Sequence, residues 1–247
     1  MQNNELIFGI RTVIEAVKSG KEIDKVMINK SSQGDLTKEL ISLLNECSVA
    51  FQFVPIEKIN HICKKNHQGV VAFISPIAFH NIEQLLPSLY EDGKTPLFLI
   101  LDEITDVRNF GAIARTAECA GVHAIIIPQK GSAQINSDAI KVSSGAIYNI
   151  PVCKVKSLTQ TLKFLKDSGV AIVAATEKAE KLLFEIDFNI PVAIMLGSEE
   201  SGINVNNLRY ADELVKIPLF GDIESLNVSA STSVFIYEAI RQRYYQK

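Results

Sequence analysis

The sequence predicts an α/β protein, with a small mixed domain at the N-terminus and a larger domain built on a parallel sheet. Three observations lead there. Short, almost wholly apolar runs, Leu97–Leu101, Ala124–Ile127, Val170–Ala174, Val192–Leu196 and Leu214–Ile217, are separated by segments of helical periodicity. Runs of that kind suit strands covered on both faces, the situation of a parallel sheet. Residues 1–76 repeat the alternation of helix and strand on a smaller scale. Finally, the residues least expected in a core follow the carboxyl ends of the apolar runs, where open parallel sheets hold their ligands.

Taken in order, Phe8 to Lys18 carries Ile10, Val13, Ile14 and Val17 at helical spacing, and Gly20 can end that helix. Lys25–Asn29 reads as a strand. Leu36 to Cys47 reads as an amphipathic helix with Leu36, Leu40, Leu43 and Leu44 on one face. Ala50–Val54 is the next strand. Pro55 then opens a third helix through Ile56, Ile59 and Ile62. Val70–Ile74 closes the first domain. Residues 77–95 contain Pro87 and the turn Glu91-Asp92-Gly93-Lys94, and are expected to be a linker with at most a turn of helix. The second domain, residues 96–247, ends in a long periodic segment from Val228 to Tyr244. Its apolar positions include Val234, Phe235, Ile236, Ala239 and Ile240.

Composition narrows the function classes. The 247 residues carry a net charge of −3, which argues against a generally basic nucleic-acid coat. Any RNA site must be a local patch, for which Arg11, Lys64 and Lys65 are candidates alongside the simpler role of solvated surface charge. No apolar run reaches the roughly 18 residues of a membrane span. The N-terminus shows no secretory signal pattern. Four scattered cysteines, with no C-x-x-C pair, argue against zinc and against a disulfide framework. A cytoplasmic protein with reduced thiols and no metal is the expectation.

Three strand-end stretches carry the chemistry. After Leu97–Leu101, Asn109 is placed to cap a helix, Gly111 permits close backbone approach, and Arg115 falls among small apolar residues. An arginine there must find a partner. Asp102 or Glu118 is one option, and a phosphate or hydroxyl at the strand ends is another. After Val192–Leu196 comes Gly197-Ser-Glu-Glu-Ser-Gly202, either a tight turn or a backbone cradle. It lacks the lysine of a P-loop, and its two carboxylates disfavour phosphate, so an adenosine-type ligand suits it better. After Leu214–Ile217, Pro218 stops the strand, Gly221 and Asp222 turn the chain, and Ser225 and Asn227 stand at the mouth of the last helix.

Together, Asn109-x5-Arg115, Leu196-Gly-Ser-Glu199, and Ile217-Pro with Ser225-Leu-Asn-Val-Ser229 resemble the three motifs of the SpoU/TrmH branch of the SPOUT RNA methyltransferases. The opening Phe8-Gly-Ile and the segment His67-Gln-Gly-Val-Val-Ala72 resemble the ribosomal-protein-like substrate-binding domain of members that methylate a guanosine 2′-hydroxyl in 23S rRNA. The resemblance implies a SPOUT domain with a trefoil knot, S-adenosyl-methionine as methyl donor, and a homodimer, with the apolar residues of the terminal helix either part of its interface or packed on the sheet. It places Gly197, Ile217, Leu226 and Thr176 at the cofactor. Arg115 becomes the central catalytic group, supported by Asn109, Glu199, Ser225 and Asn227. A guanidinium is a poor general base, so Arg115 is expected to fix a phosphate and stabilise the developing alkoxide. Arg108, Phe110 and Glu200 depart from the common pattern, and Glu200 adds a negative charge beside the expected RNA path. His123, next to an apolar strand, reads as structural, while His67 reads as either a loop residue or an RNA contact. The alternatives to a 23S rRNA guanosine are tRNA, another rRNA nucleotide of the antibiotic-resistance type, or a non-catalytic RNA-binding assembly factor of the same fold.

Overall fold

The computed structural model describes residues 6–47, 49–223 and 225–245. It divides into two compact units, Met1–Ala78 with Ile135–Ser137, and Phe79–Gln134 with Asp138–Lys247.

The first unit runs β1 (Leu6–Phe8), α1 (Ile10–Lys18), β2 (Ile23–Asn29), α2 (Asp35–Glu46), β3 (Phe51–Val54), α3 (Ile56–Ile62) and β4 (Val70–Ile74). Its sheet has the order β1-β4-β2-β3, with β4 antiparallel to both neighbours and β3 parallel to β2. The apolar stripes of α1 (Val13, Ile14, Val17) and α2 (Leu40, Leu44) close on Val26, Ile28 and Val70. Leu36, expected on that stripe, is 37% exposed, whereas Leu40 and Leu44 further along α2 are buried. His67 is buried. Its Nδ1 accepts from the Gly69 N–H at 3.0 Å, so the hydrogen lies on Nε2, 2.8 Å from Asn60 Oδ1. The ring therefore fastens the loop before β4.

The second unit holds α4 (Ile82–Glu91), β5 (Leu97–Leu101), α5 (Val107–Cys119), β6 (Ala124–Pro128), α6 (Ser137–Val142), β7 (Val152–Val155), α7 (Leu158–Asp167), β8 (Ala171–Ala175), β9 (Lys181–Leu182), β10 (Val192–Leu196), α8 (Val205–Leu208), β11 (Glu213–Lys216) and α9 (Val228–Tyr245). The expected linker is thus largely the helix α4. Asn81 caps it by accepting from the Glu83 N–H at 2.8 Å, and Ile82, Leu86 and Leu89 pack beside Phe98 and Ile100. Burying three such side chains contributes about 1.5–3 kcal/mol each. That outweighs the ~3 kcal/mol an exposed internal proline costs.

The expected parallel sheet is present. Seven strands lie in the order β7-β6-β5-β10-β8-β11-β9, and every neighbouring pair is parallel. Late-sequence β10 lies between β5 and β8, which brings the carboxyl ends of β5, β10, β8 and β11 side by side. The helix α9 packs against α5 and the sheet through buried Phe235, Ile236 and Ala239. No helix of the described residues is long and apolar enough to cross a membrane.

Candidate active site

Register sets the geometry. Leu101 pairs with Leu196, and the Asp102 N–H donates to the Leu196 carbonyl at 2.8 Å, so the loop after β5 starts beside Gly197. On the other flank Ala175 pairs with Val215, which sets Thr176 beside the exit of β11. Between these loops lies a cleft of about 130 Å³ lined by Thr176, Gly197, Ile217, Ser225 and Leu226, with Phe235 beneath. The four residues assigned to the cofactor by resemblance therefore share one cavity.

Gly197 is required by contact rather than by dihedral. A Cβ there would lie 2.0 Å from the Gly202 carbonyl carbon and 2.2 Å from Ile203 N. The turn it opens is closed by reciprocal backbone bonds between Ser198 and Gly202, at 3.2 and 2.9 Å. This lets two backbone segments form a tight rim around the cleft. Thr176 shapes the opposite rim, where its Oγ1 accepts from the Lys178 N–H at 3.4 Å.

A second cleft, of about 410 Å³, adjoins the first and is lined by Asn109 and the turn around Glu200. Ser198, Glu199 and Val228 line both. The three motif stretches meet at Glu199. Its Oε1 accepts from Asn109 Nδ2 at 3.1 Å, from Asn227 Nδ2, and from the Val228 N–H at 3.3 Å. Asn227 Nδ2 also donates to Asn109 Oδ1 at 3.0 Å, and Asn227 Oδ1 caps α9 by accepting from the Ser229 N–H at 3.0 Å.

Two expectations are corrected here. Asn109 does not cap α5. Asp106 does, accepting from the N–H groups of Arg108 and Asn109 at 2.8 Å each, which frees the Asn109 side chain for Glu199. Nor is Arg115 buried among its small neighbours. It is exposed, and makes no hydrogen bond or ion pair with any described residue. Asp102, one partner weighed for it, instead accepts from Asn204 N and Asn207 Nδ2. The reason is helical phase. Phe110, Ile113, Ala114 and Ala117 face inward, whereas Arg115 follows Arg108 by seven residues and shares its outward stripe. Arg115 consequently does not line the cleft of its own chain.

Residues 96–237 match the SpoU rRNA Methylase family, and residues 6–80 match the family described as RNA 2′-O ribose methyltransferase substrate binding. The chain belongs to the SpoU methylase family. The 23S rRNA (guanosine-2′-O-)-methyltransferase RlmB of Yersinia pestis is 37% identical over 97% of this chain and 98% of its own length. That of Escherichia coli K12 is 34% identical, over 97% and 99%. Among solved structures, the SpoU methyltransferase AviRb from Streptomyces viridochromogenes, in complex with AdoMet, aligns with a TM-score of 0.62 at 21% identity. It covers 98% of this chain and 91% of that one.

The donor cleft of this SpoU methylase fits S-adenosyl-methionine on its own chemistry. Leu196, Val215 and Ile217 supply apolar walls for an adenine, and the glycine-built rim gives close backbone approach. The carboxylates of Glu177 and Glu199 at the lining favour a cationic sulfonium over a phosphate. No group of three or more histidine, cysteine or acidic side chains able to hold a metal occurs among the described residues.

Proposed function

We propose that the protein transfers a methyl group from S-adenosyl-methionine to the ribose 2′-hydroxyl of a guanosine in 23S rRNA. The observation that carries this reading is the Asn109–Glu199–Asn227 junction, which forms the wall between a cleft suited to the donor and a second open cleft. A bound donor supplies an already activated methyl group, so the protein's part is alignment and charge control. Gly197, Ile217, Leu226 and Thr176 hold the donor. Asn109 and Asn227 are locked by Glu199, and with Ser225 they position the ribose. The substrate-binding unit, matched at residues 6–80, recruits the RNA.

Arg115 stands outside the cleft of its own chain, so its catalytic role belongs to a homodimer in which it serves the partner's site. Support for a subunit interface comes from the apolar side chains this unit leaves open, Phe220 at 97%, Ile223 at 78% and Tyr237 at 52% exposed. The crowding at Gly197, and the convergence of the segments after β10 and β11 on one cleft, suit a trefoil knot. The reaction belongs in the cytoplasm with the ribosomal RNA.

The test is a map of 2′-O-methylation across rRNA and tRNA from cells with and without the protein. Loss of one 23S guanosine methyl, restored by wild type and not by Asn109→Ala, is the expected result. A lost methyl confined to tRNA, or none lost, contradicts the proposal.

A further inference from the structure

The acceptor-side cleft carries charge of one sign. Glu103, Asp106, Glu199 and Glu200 line it, and no lysine, arginine or histidine does. Three of these carboxylates are engaged. Asp106 caps α5, Glu199 holds the junction, and Glu103 accepts from Ser201 Oγ at 3.5 Å and Asn204 Nδ2 at 3.3 Å. Glu103 is also kept in a left-handed backbone conformation, φ 57, which a residue with a side chain adopts at a cost. Glu200 differs. It is exposed, it accepts no hydrogen bond from a described residue, and its backbone is fixed within the turn closed by Ser198 and Gly202.

We infer that Glu200 reads the Watson–Crick edge of the target base and selects guanine. The inference rests on the reading above, which sets the target ribose against the Glu199 wall. The base attached to that ribose must then occupy the cleft or its mouth, unstacked, as bases do where proteins read RNA by their edges. A carboxylate offers two acceptor oxygens side by side. Guanine alone among the four bases presents two adjacent donors, N1–H and the exocyclic N2 amine, so the pair is bidentate and charge-assisted. Adenine and cytosine turn a ring-nitrogen lone pair toward the same carboxylate. Uracil has one donor between two carbonyls.

The test uses the full-length protein and a 23S fragment carrying guanosine, inosine or adenosine at the mapped position. Inosine keeps N1–H and lacks the amine. For wild type, kcat/KM should fall roughly 10- to 100-fold from guanosine to inosine, the effect of one hydrogen bond to a charged group. Glu200→Gln, which keeps one acceptor without the charge, should lose a similar factor on guanosine, Glu200→Gly, which removes both bonds, should lose at least as much, and neither should lose further on inosine. Their affinity for S-adenosyl-methionine and their melting temperature should match wild type. Equal use of inosine and guanosine by wild type overturns the inference, and so does an inosine loss that persists in both variants. A mapped nucleotide other than guanosine removes it while leaving methyl transfer standing. Absence of methyl transfer to any RNA removes the functional reading and this inference with it.

Discussion

Gly197→Ala tests the donor cleft at its narrowest point. The added methyl would lie 2.0 Å from the Gly202 carbonyl carbon, 2.2 Å from its oxygen and 2.2 Å from Ile203 N, where real Cβ contacts almost never fall below 3.0 Å. All three atoms are backbone, so no rotamer change relieves the clash. The turn must open, which sacrifices the reciprocal Ser198–Gly202 bonds at 3.2 and 2.9 Å. Two such bonds at about 0.5–1.5 kcal/mol each, with overpacking of about 1–3 kcal/mol, give roughly 2–6 kcal/mol. Global stabilities are about 5–15 kcal/mol, so the fold should survive. If the turn must re-close to bind, the same energy appears as a loss of affinity of about 30-fold or more. Isothermal titration with S-adenosyl-methionine measures it, and circular dichroism with a thermal melt confirms the fold. A Gly197→Ala protein that binds the donor within threefold of wild type at an unchanged melting temperature would refute the reasoning.

Other outcomes follow from single features. Arg115→Lys should lower kcat about 10²–10³-fold with donor affinity unchanged, because an ammonium lacks the planar fork; near-normal turnover would contradict the alkoxide role. If Arg115 serves the partner's site, mixing Arg115→Ala and Gly197→Ala proteins, at a donor concentration too low to load the Gly197→Ala cleft, should restore about a quarter of wild-type activity, since half of a random mixture is heterodimer with one intact site. Inactivity after subunit exchange would place Arg115 elsewhere. Burial, then the nearby Arg243 and Lys94 cations, lower the His123 pKa from 6.5, and its Nδ1 accepts from the Leu97 N–H at 3.0 Å. Neutral His123 therefore adds stability that is present above about pH 6.5 and lost as pH falls toward its folded pKa, because the unfolded chain takes up the proton first. Melting temperature should drop more between pH 7.5 and 5.5 in wild type than in His123→Asn, whose Oδ1 keeps the Leu97 bond; equal slopes would refute this. Native alkylation should label exposed Cys47 and spare buried Cys63 and Cys153, and burial pushes the Cys153 thiol up to about 12. Cys119, on the outward stripe of α5, should be protected only in the dimer, and labelling of Cys119 as fast as Cys47 would move the interface off that stripe.

How far the sequence showed all this depends on whether each feature is local. Leu97–Leu101 and Val192–Leu196 were legible to the residue because a strand buried on both faces leaves an unbroken apolar run. Three-residue β1 and two-residue β9 are too short to show alternation. Edge strand β7 mixes Lys154 with its apolar residues, and its pattern is correspondingly weak. Proline at 87 hid α4, although Ile82, Leu86 and Leu89 carried the helical stripe. The outward aim of Arg115 was also present, in its seven-residue spacing from Arg108, but small neighbours suggested burial instead. Asp106 and Asn109 belong to the same capping class, and only the folded geometry decides which side chain turns back to the helix and which is released to Glu199. The motifs themselves were legible by resemblance, whereas periodicity alone placed them only at strand ends. What no local pattern encodes is the insertion of β10 between β5 and β8, since pairing order is a property of the assembled sheet. That insertion brings residues 90 positions apart, Asn109 and Glu199, within 3.1 Å. The candidate site is therefore a consequence of topology: the motifs supply side chains able to bond, and the strand order makes them neighbours.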